Sequence, residues 1–374
     1  RGYFQMKKAV FITNIPSPYR VDFFVYMQKH YPEYEFHVIF SGAGMENRKW
    51  SVELNELKHA TFLKSKTIII RKRFDDRYIF LPVGVEKALE EIQPDLVFAM
   101  EYNPTILRAV HYCRKKKIPF ISWTDGTLNS EKNIGKVQRL SRKYIIKRAA
   151  AFIASSTASK EAQVAYGADP EKCFISYLTV SIDKYLMEKT DYSKKQMIYV
   201  GSMIQRKGLD LLLPALAQTS EDIRLVIVGE GQEKQNLIEQ AKKLGVLDRI
   251  DFKGFVEGEA LRTLYHESDL FILPTREDCF GLVLLEAMCA SLPVISSKYA
   301  DGAFDLLEEG KNGYIVDPED TKAFAKVIDE AFSDDEKLAR MGQYSYQKAH
   351  EFSFAEVSKG CIAAADYALK KTAR

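Results

Sequence analysis

The sequence predicts an α/β protein made of two doubly wound, parallel-sheet domains, and three observations carry that prediction. Short apolar runs of strand character alternate with longer helix-like stretches along nearly the whole chain. The alternation breaks once, at a polar segment over residues 183–195, and then restarts. At 374 residues the chain is also too long for one ordinary core.

Taken in order, "AVFITNI" (9–15), "EFHVIFS" (35–41), "DLVFAM" (95–100), "PFISW" (119–123) and "AAFIASS" (150–156) read as strands, being short and rich in β-branched and aromatic residues. Between them "PYRVDFFVYMQKHY", "LPVGVEKALEEI", "PTILRAVHYCRKK" and "VQRLSRKYIIKRA" read as helices. After the break, "QMIYVGS" (196–202), "IRLVIVGEG" (223–231), "IDFKGFV" (250–256), "DLFILPT" (269–275), "LPVISS" (292–297) and "GYIVDP" (313–318) are strands, each followed by a helical stretch. The polar "DKYLMEKTDYSKK" (183–195) lacks apolar periodicity and reads as a linker. The expected domains are therefore 6–188 and 189–352, with a crevice between them for a ligand at the carboxyl ends of the strands. The last segment, 353–374, reads as an amphipathic helix with Phe354, Val357, Ile362, Ala365 and Leu369 on one stripe, able to cap either domain or to cross back to the first. Arg1–Gln5 stand apart, because "YFQ" resembles the end of a protease site.

Composition narrows the function classes. Hydrophobic residues at 46% and charged residues at 28% suit a soluble globular protein, and no run of eighteen apolar residues occurs. Met6-Lys7-Lys8 lead straight into a strand with no cleavage-site pattern, so a cytoplasmic chain is expected. Five widely spaced cysteines without a C-x-x-C pair read as reduced thiols. The histidines form no H-E-x-x-H and no D-x-D occurs, so neither a metal nor another cofactor is expected. The net charge of +3 hides an asymmetry: residues 1–188 hold 30 basic and 20 acidic side chains, the remainder 24 and 31. The front half is expected to meet an anionic surface or acceptor, although a solvated basic face accounts for the count equally well; no nucleic-acid partner is expected.

Three stretches carry chemistry. The strand "MIYV" ends at Gly201-Ser202, and Arg206 and Lys207 follow just before a helix. Paired cations at a helix amino terminus, behind a small-residue turn after a strand, suit a diphosphate. "VGEGQ" (228–232) is a second glycine turn, too incomplete for a dinucleotide fingerprint. The third stretch is "TREDCFGLVLLEAM" (275–288), where Glu286 stands in a helix otherwise built for burial. Its carboxylate needs partners, either a ligand's hydroxyl pair or a neighbouring group. The turn Cys279-Phe280-Gly281 is expected to leave the first amides of that helix free for a phosphate or sugar oxygen.

Those stretches, with "LVIVGEGQEKQNL", "DRIDFKGFV" and "DGAFDLLEEGKNGYIVDPED", fall in the order and spacing of glycosyltransferase family 4, which the chain resembles over most of residues 196–352. The resemblance implies two Rossmann-like domains facing across a cleft (GT-B) and retaining transfer of a sugar from a nucleotide diphosphate, UDP for preference, to an acceptor hydroxyl. It assigns Arg206 and Lys207 to the donor diphosphate, Glu286 to the ribose, and Asp278 to the first acid of an E-x7-E motif, beside the donor sugar. Glu usually stands at that position; Glu277 is one place out of register. Gly201, Ser202, Phe280, Gly281 and Leu282 fall at the donor loops, and Phe255 and Val256 where the base is held.

The front half departs from the family. "NIPSPYRVDFF" replaces a glycine-rich loop, placing Ser17 as a helix cap with Pro18 behind it, and Arg20 either toward an anionic group or as a plain surface cation. Glu101 stands where a histidine is usual; with Asp125 it is a candidate acceptor contact. The acceptor implied is a saccharide or lipid-linked saccharide in polysaccharide or glycolipid assembly. The basic segment 136–150, with Val137, Leu140, Tyr144 and Ile145 among its cations, could lie on an anionic membrane at its inner face or pack as an ordinary helix. The competing readings are a nucleotide-sugar epimerase of the same architecture and a non-catalytic nucleotide-sugar-binding protein.

Overall fold

The structure, a computed structural model, describes residues 6–43, 52–70 and 77–372; Arg1–Gln5 lie outside them. The chain divides into two compact units, one running to Ser181 and resuming at Phe354, the other Ile182–Ser353.

The first unit is built on strands β1 (Lys7–Thr13), β2 (Tyr34–Phe40), β3 (Ala60–Phe62), β4 (Lys64–Ile70), β5 (Arg77–Val83), β6 (Leu96–Met100), β7 (Phe120–Thr124), β8 (Ala151–Ala154) and β9 (Cys173–Ile175). Seven of them form a parallel sheet in the order β3-β2-β1-β6-β7-β8-β9, while β4 and β5 pair antiparallel as a separate hairpin. The order reverses between β1 and β6, which puts the carboxyl ends of β1, β6 and β7 where such sheets bind ligands. Phe11 at the centre stacks on Phe24, Phe36 and Phe98, with ring centroids 4.8, 5.2 and 4.5 Å away. The helix Phe354–Thr372 returns to close this core with Val357, Cys361, Ala364, Ala365 and Ala368. A Cβ on Gly360 would stand 1.9 Å from the Ile175 carbonyl oxygen, so only glycine permits the approach. The buried stripe is thus one of small residues, with Phe354, Ile362 and Leu369 of the expected stripe at its margin.

The second unit contains β10 (Gln196–Val200), β11 (Arg224–Val228), β12 (Ile250–Gly254), β13 (Leu270–Leu273), β14 (Val294–Ser297) and β15 (Gly313–Val316). They form one parallel sheet in the order β12-β11-β10-β13-β14-β15, reversing between β10 and β13. This is the parallel α/β class the sequence predicts.

Two local expectations are corrected. Leu81–Val83 were expected to open a helix but complete β5; the helix is Val85–Ile92, entered through Gly84 at φ 95°. The pairing partner β4 lies upstream and decides the matter. The polar run 183–195 is no free tether: Tyr192 is buried and donates to the Ser291 carbonyl at 2.7 Å, and Lys189 forms a fully buried ion pair with Asp269 at 3.3 Å. Charged residues hide apolar periodicity while their stems and partners are buried.

Candidate functional site

In the second unit the singled-out residues gather at the carboxyl ends of β10, β12 and β13. Gly201 and Ser202 follow β10, Phe255 and Val256 follow β12, and Thr275–Gly281 follow β13. Arg206 and Lys207 lie in a single turn, Gln205–Lys207, closed by Gly208 at φ 71°. A Cβ on Gly208 would stand 2.0 Å from the Pro274 carbonyl oxygen, so glycine is what allows the β10 and β13 loops to touch. The loops are then stitched together. Arg206 Nη1 donates to the Glu277 carbonyl at 2.9 Å, the Arg276 amide donates to the Arg206 carbonyl at 2.8 Å, and Arg276 forms a bidentate pair with Asp210 at 2.7 Å on both arms.

Lys207 and Asp278 meet directly, Nζ to Oδ2 at 2.5 Å. The other oxygen of Asp278 accepts from the Phe280 and Gly281 amides at 3.2 and 2.8 Å. Burial pushes the Asp278 carboxyl up, but the charge and hydrogen bond of Lys207, then Arg206 and the Phe280 amide, outweigh it and hold the group below its ordinary value. The amides of Phe280 and Gly281, two residues expected at the donor loop, are thus taken by Asp278. The next two, on Leu282 and Val283, open the helix Leu282–Cys289 and have no hydrogen-bond acceptor among the described residues. The amides left open at this helix start therefore lie two residues further along than those of Phe280 and Gly281.

Glu286, a turn deeper, accepts from the Tyr265 hydroxyl at 2.9 Å and from the Tyr185 hydroxyl. Burial nonetheless lifts it to about 7. Sequence reasoning missed both tyrosines, because Tyr265 lies 21 residues away on another helix and no spacing rule joins them.

In the first unit, three acceptor-side candidates form one network. Arg20 is buried, only 7% exposed, with Nη2 2.5 Å from Asp125 Oδ1 and its guanidinium 5.1 Å from the Trp123 ring, so it is no plain surface cation. Ser155 donates to the same Asp125 oxygen. Glu101 follows β6 in the left-handed region at φ 72° and accepts from the Asp125 amide at 2.9 Å and the Thr124 hydroxyl at 3.2 Å. Burial, then the Asp125 charge, raise it to about 7. Ser17 precedes the helix Pro18–His30 as expected, but its side chain makes no capping hydrogen bond. The basic segment forms the helix Lys136–Ile146, in which Arg142 and Ile145 are buried and Val137 and Leu140 are 80% and 66% exposed. Arg142 pairs with Glu131 through Nε at 2.8 Å, so it is a structural cation.

Among the described residues no group of three His, Cys, Asp or Glu side chains is placed to hold a metal ion, and no helix is long and apolar enough to cross a membrane. All five cysteines are free, four of them buried.

The architecture has close counterparts. The Anabaena protein HepE, solved in complex with UDP, superimposes with a TM-score of 0.78 at 20% identity, covering 96% of this chain and 99% of that one. The lipopolysaccharide outer core galactosyltransferase WaaB gives 0.72 at 20% identity, over 96% and 98%. At that identity the likeness establishes the fold, the GT-B glycosyltransferase fold. Residues 187–348, nearly all of the second unit, match the family described as glycosyl transferases group 1. Spore coat protein SA of Bacillus subtilis is 33% identical over 183 residues, 46% of this chain and 48% of that protein. D-inositol 3-phosphate glycosyltransferase of Corynebacterium urealyticum is 31% identical over 180 residues, 46% and 42%. The chain thus spans under half the length of these curated relatives. The whole chain thus has the GT-B fold, and its second unit is similar in sequence to glycosyl transferases group 1.

Proposed function

We propose that the protein is a retaining glycosyltransferase of the family 4 type, moving a sugar from a nucleotide diphosphate, with UDP as the preferred nucleotide, to an acceptor hydroxyl. The observation that carries the reading is the convergence of Arg206, Lys207 and the unbonded Leu282 and Val283 amides at the switch point between β10 and β13. Two cations and two backbone donors there match the charge that a departing diphosphate develops. Lys207 has three N–H donors, and the bond to Asp278 leaves two for phosphate oxygens. With that charge met by the chain's own groups, the chemistry we propose uses no metal or cofactor. The sugar's anomeric C–O bond to the diphosphate breaks, the acceptor oxygen bonds to the same face, and a departing phosphate oxygen takes the acceptor's proton.

Within this reading Glu286 holds the ribose, Phe255 and Val256 flank the base, and Asp278, steered by Lys207, lies toward the donor sugar. Arg20, Glu101 and Asp125 serve the acceptor, a saccharide or lipid-linked saccharide of the polysaccharide or glycolipid kind. Val137 and Leu140, exposed among Lys136, Arg139 and Lys143, would bring the protein to an anionic membrane face. The test is a thermal-shift panel of UDP-, GDP-, ADP- and dTDP-sugars followed by turnover with saccharide acceptors. One donor class should raise the melting temperature and be consumed only when acceptor is present. Conversion without acceptor would favour an epimerase, and binding without turnover a non-catalytic protein.

A further inference from the structure

Glu286 is partly exposed, on a helix whose neighbouring Leu285 and Ala287 are fully buried, and its carboxylate exchanges part of its hydration for protein partners. Two phenols from different parts of the chain are those partners. Tyr265, on the helix Gly258–Glu267, is fully buried, its ring tilted against Phe271 of β13 at 6.1 Å. Tyr185 follows the turn Ile182–Lys184, in a segment fastened to the carboxyl end of Glu286's own helix. The Met187 amide donates to the Cys289 carbonyl at 2.9 Å, and Ser291 Oγ donates to the Met187 carbonyl at 2.6 Å. Two anchored donors therefore converge on one acid. A carboxylate has about four lone-pair sites, so two phenols leave capacity for two further donors. If burial alone governed the position, an apolar residue of the same size would serve at lower cost.

We propose that Tyr265 and Tyr185 are positioning residues for nucleotide recognition: their hydroxyls orient the Glu286 carboxylate so that its remaining lone pairs receive the 2′- and 3′-hydroxyls of a ribose. The inference rests on the reading of Glu286 as the ribose contact. The titratable groups around the carboxyl are the two phenols, the Cys289 thiol on the same helix, and Asp183 near that thiol. Burial, then the charges of Glu286 and Asp183, keep the thiol protonated well above the usual range, so the carboxyl is the group that titrates near neutrality. Each phenol donates to the ionised form; removing one raises the carboxyl's pKa. Affinity for a diol falls as pH falls through that value, so the fall begins at higher pH in a variant lacking one hydroxyl.

Calorimetric titration of the full chain tests this with the tightest of UDP, GDP and ADP and with its 2′-deoxy counterpart, from about pH 6 to about pH 8.5. The wild type should prefer the ribonucleotide by about tenfold or more, one unmet buried acceptor being the difference. Tyr265→Phe and Tyr185→Phe should each shrink that preference to about threefold or less and move the acid limb of affinity to higher pH, while Glu286→Gln removes the limb. If both Phe variants keep the wild-type preference and limb while Glu286→Gln loses them, the inference falls and the ribose reading stands. A wild type that shows no preference, or binds none of the three diphosphates, sinks both.

Discussion

The ammonium of Lys207 lies 2.5 Å from the carboxylate of Asp278, and 71 residues of chain separate the two. The pair ties the loop after β10 to the loop after β13 and sets the charge of the candidate diphosphate site. Asp278 holds Lys207 in place while its second oxygen occupies two amides of the following turn.

Replacing Lys207 with alanine should lower turnover about a hundredfold or more, since one preorganised charge on the leaving group is lost. It also leaves Asp278 without its cation, so a drop of a few degrees in Tm is expected beside the kinetic loss. Steady-state kinetics on the folded variant, with circular dichroism to show that it is folded, checks this. Near-normal turnover would remove the diphosphate assignment.

Gly208→Ala should destabilise the second unit on the order of 2 kcal/mol or more, because the new Cβ meets the Pro274 carbonyl 2.0 Å away at φ 71°. Thermal melts measure it. A melt within about a degree of wild type would show that the two loops can separate at little cost.

Glu101 gives a pH signature. Its folded value of about 7 lies above the ordinary carboxyl range, so the folded state binds the proton more tightly. Stability from this group is fully present below about pH 4 and is lost as pH rises through about 7. Glu101→Gln, which stays neutral, should therefore gain on wild type as pH rises, by on the order of 2 kcal/mol between about pH 5 and about pH 8. Denaturant melts at the two pH values decide; a constant difference would mean that the carboxyl titrates normally.

Val137→Glu with Leu140→Glu should abolish flotation with phosphatidylglycerol vesicles at low salt, the two side chains being 80% and 66% exposed on a basic helix. Arg142→Lys should affect thermal stability more than flotation, because Arg142 is spent on Glu131. Wild-type protein that stays unbound under these conditions rules out the membrane contact.

The strand runs, the restart after the polar segment, the cation pair behind Gly201 and the acid in a leucine-rich helix were all legible in the chain, because burial and periodicity are local signals. Glu101 and Asp125 were legible singly, as polar residues at strand ends, and Arg20 as a cation in the first turn of a helix. Their union into one network around the buried Arg20, with Glu101 at positive φ, came from β1, β6 and β7 lying side by side. Tertiary structure alone decided that Asp278 takes the amides of Phe280 and Gly281, that Tyr265 and Tyr185 reach Glu286, and that the hairpin of β4 and β5 claims Leu81–Val83. It likewise decided that the final helix returns to the first unit: a stripe of alanine and cysteine is weak in hydrophobicity, and the close approach of this helix to Ile175 is made at Gly360. Periodicity reports which face of an element is buried. The partner across that face is fixed only when distant segments pack and their hydrogen bonds must be met together.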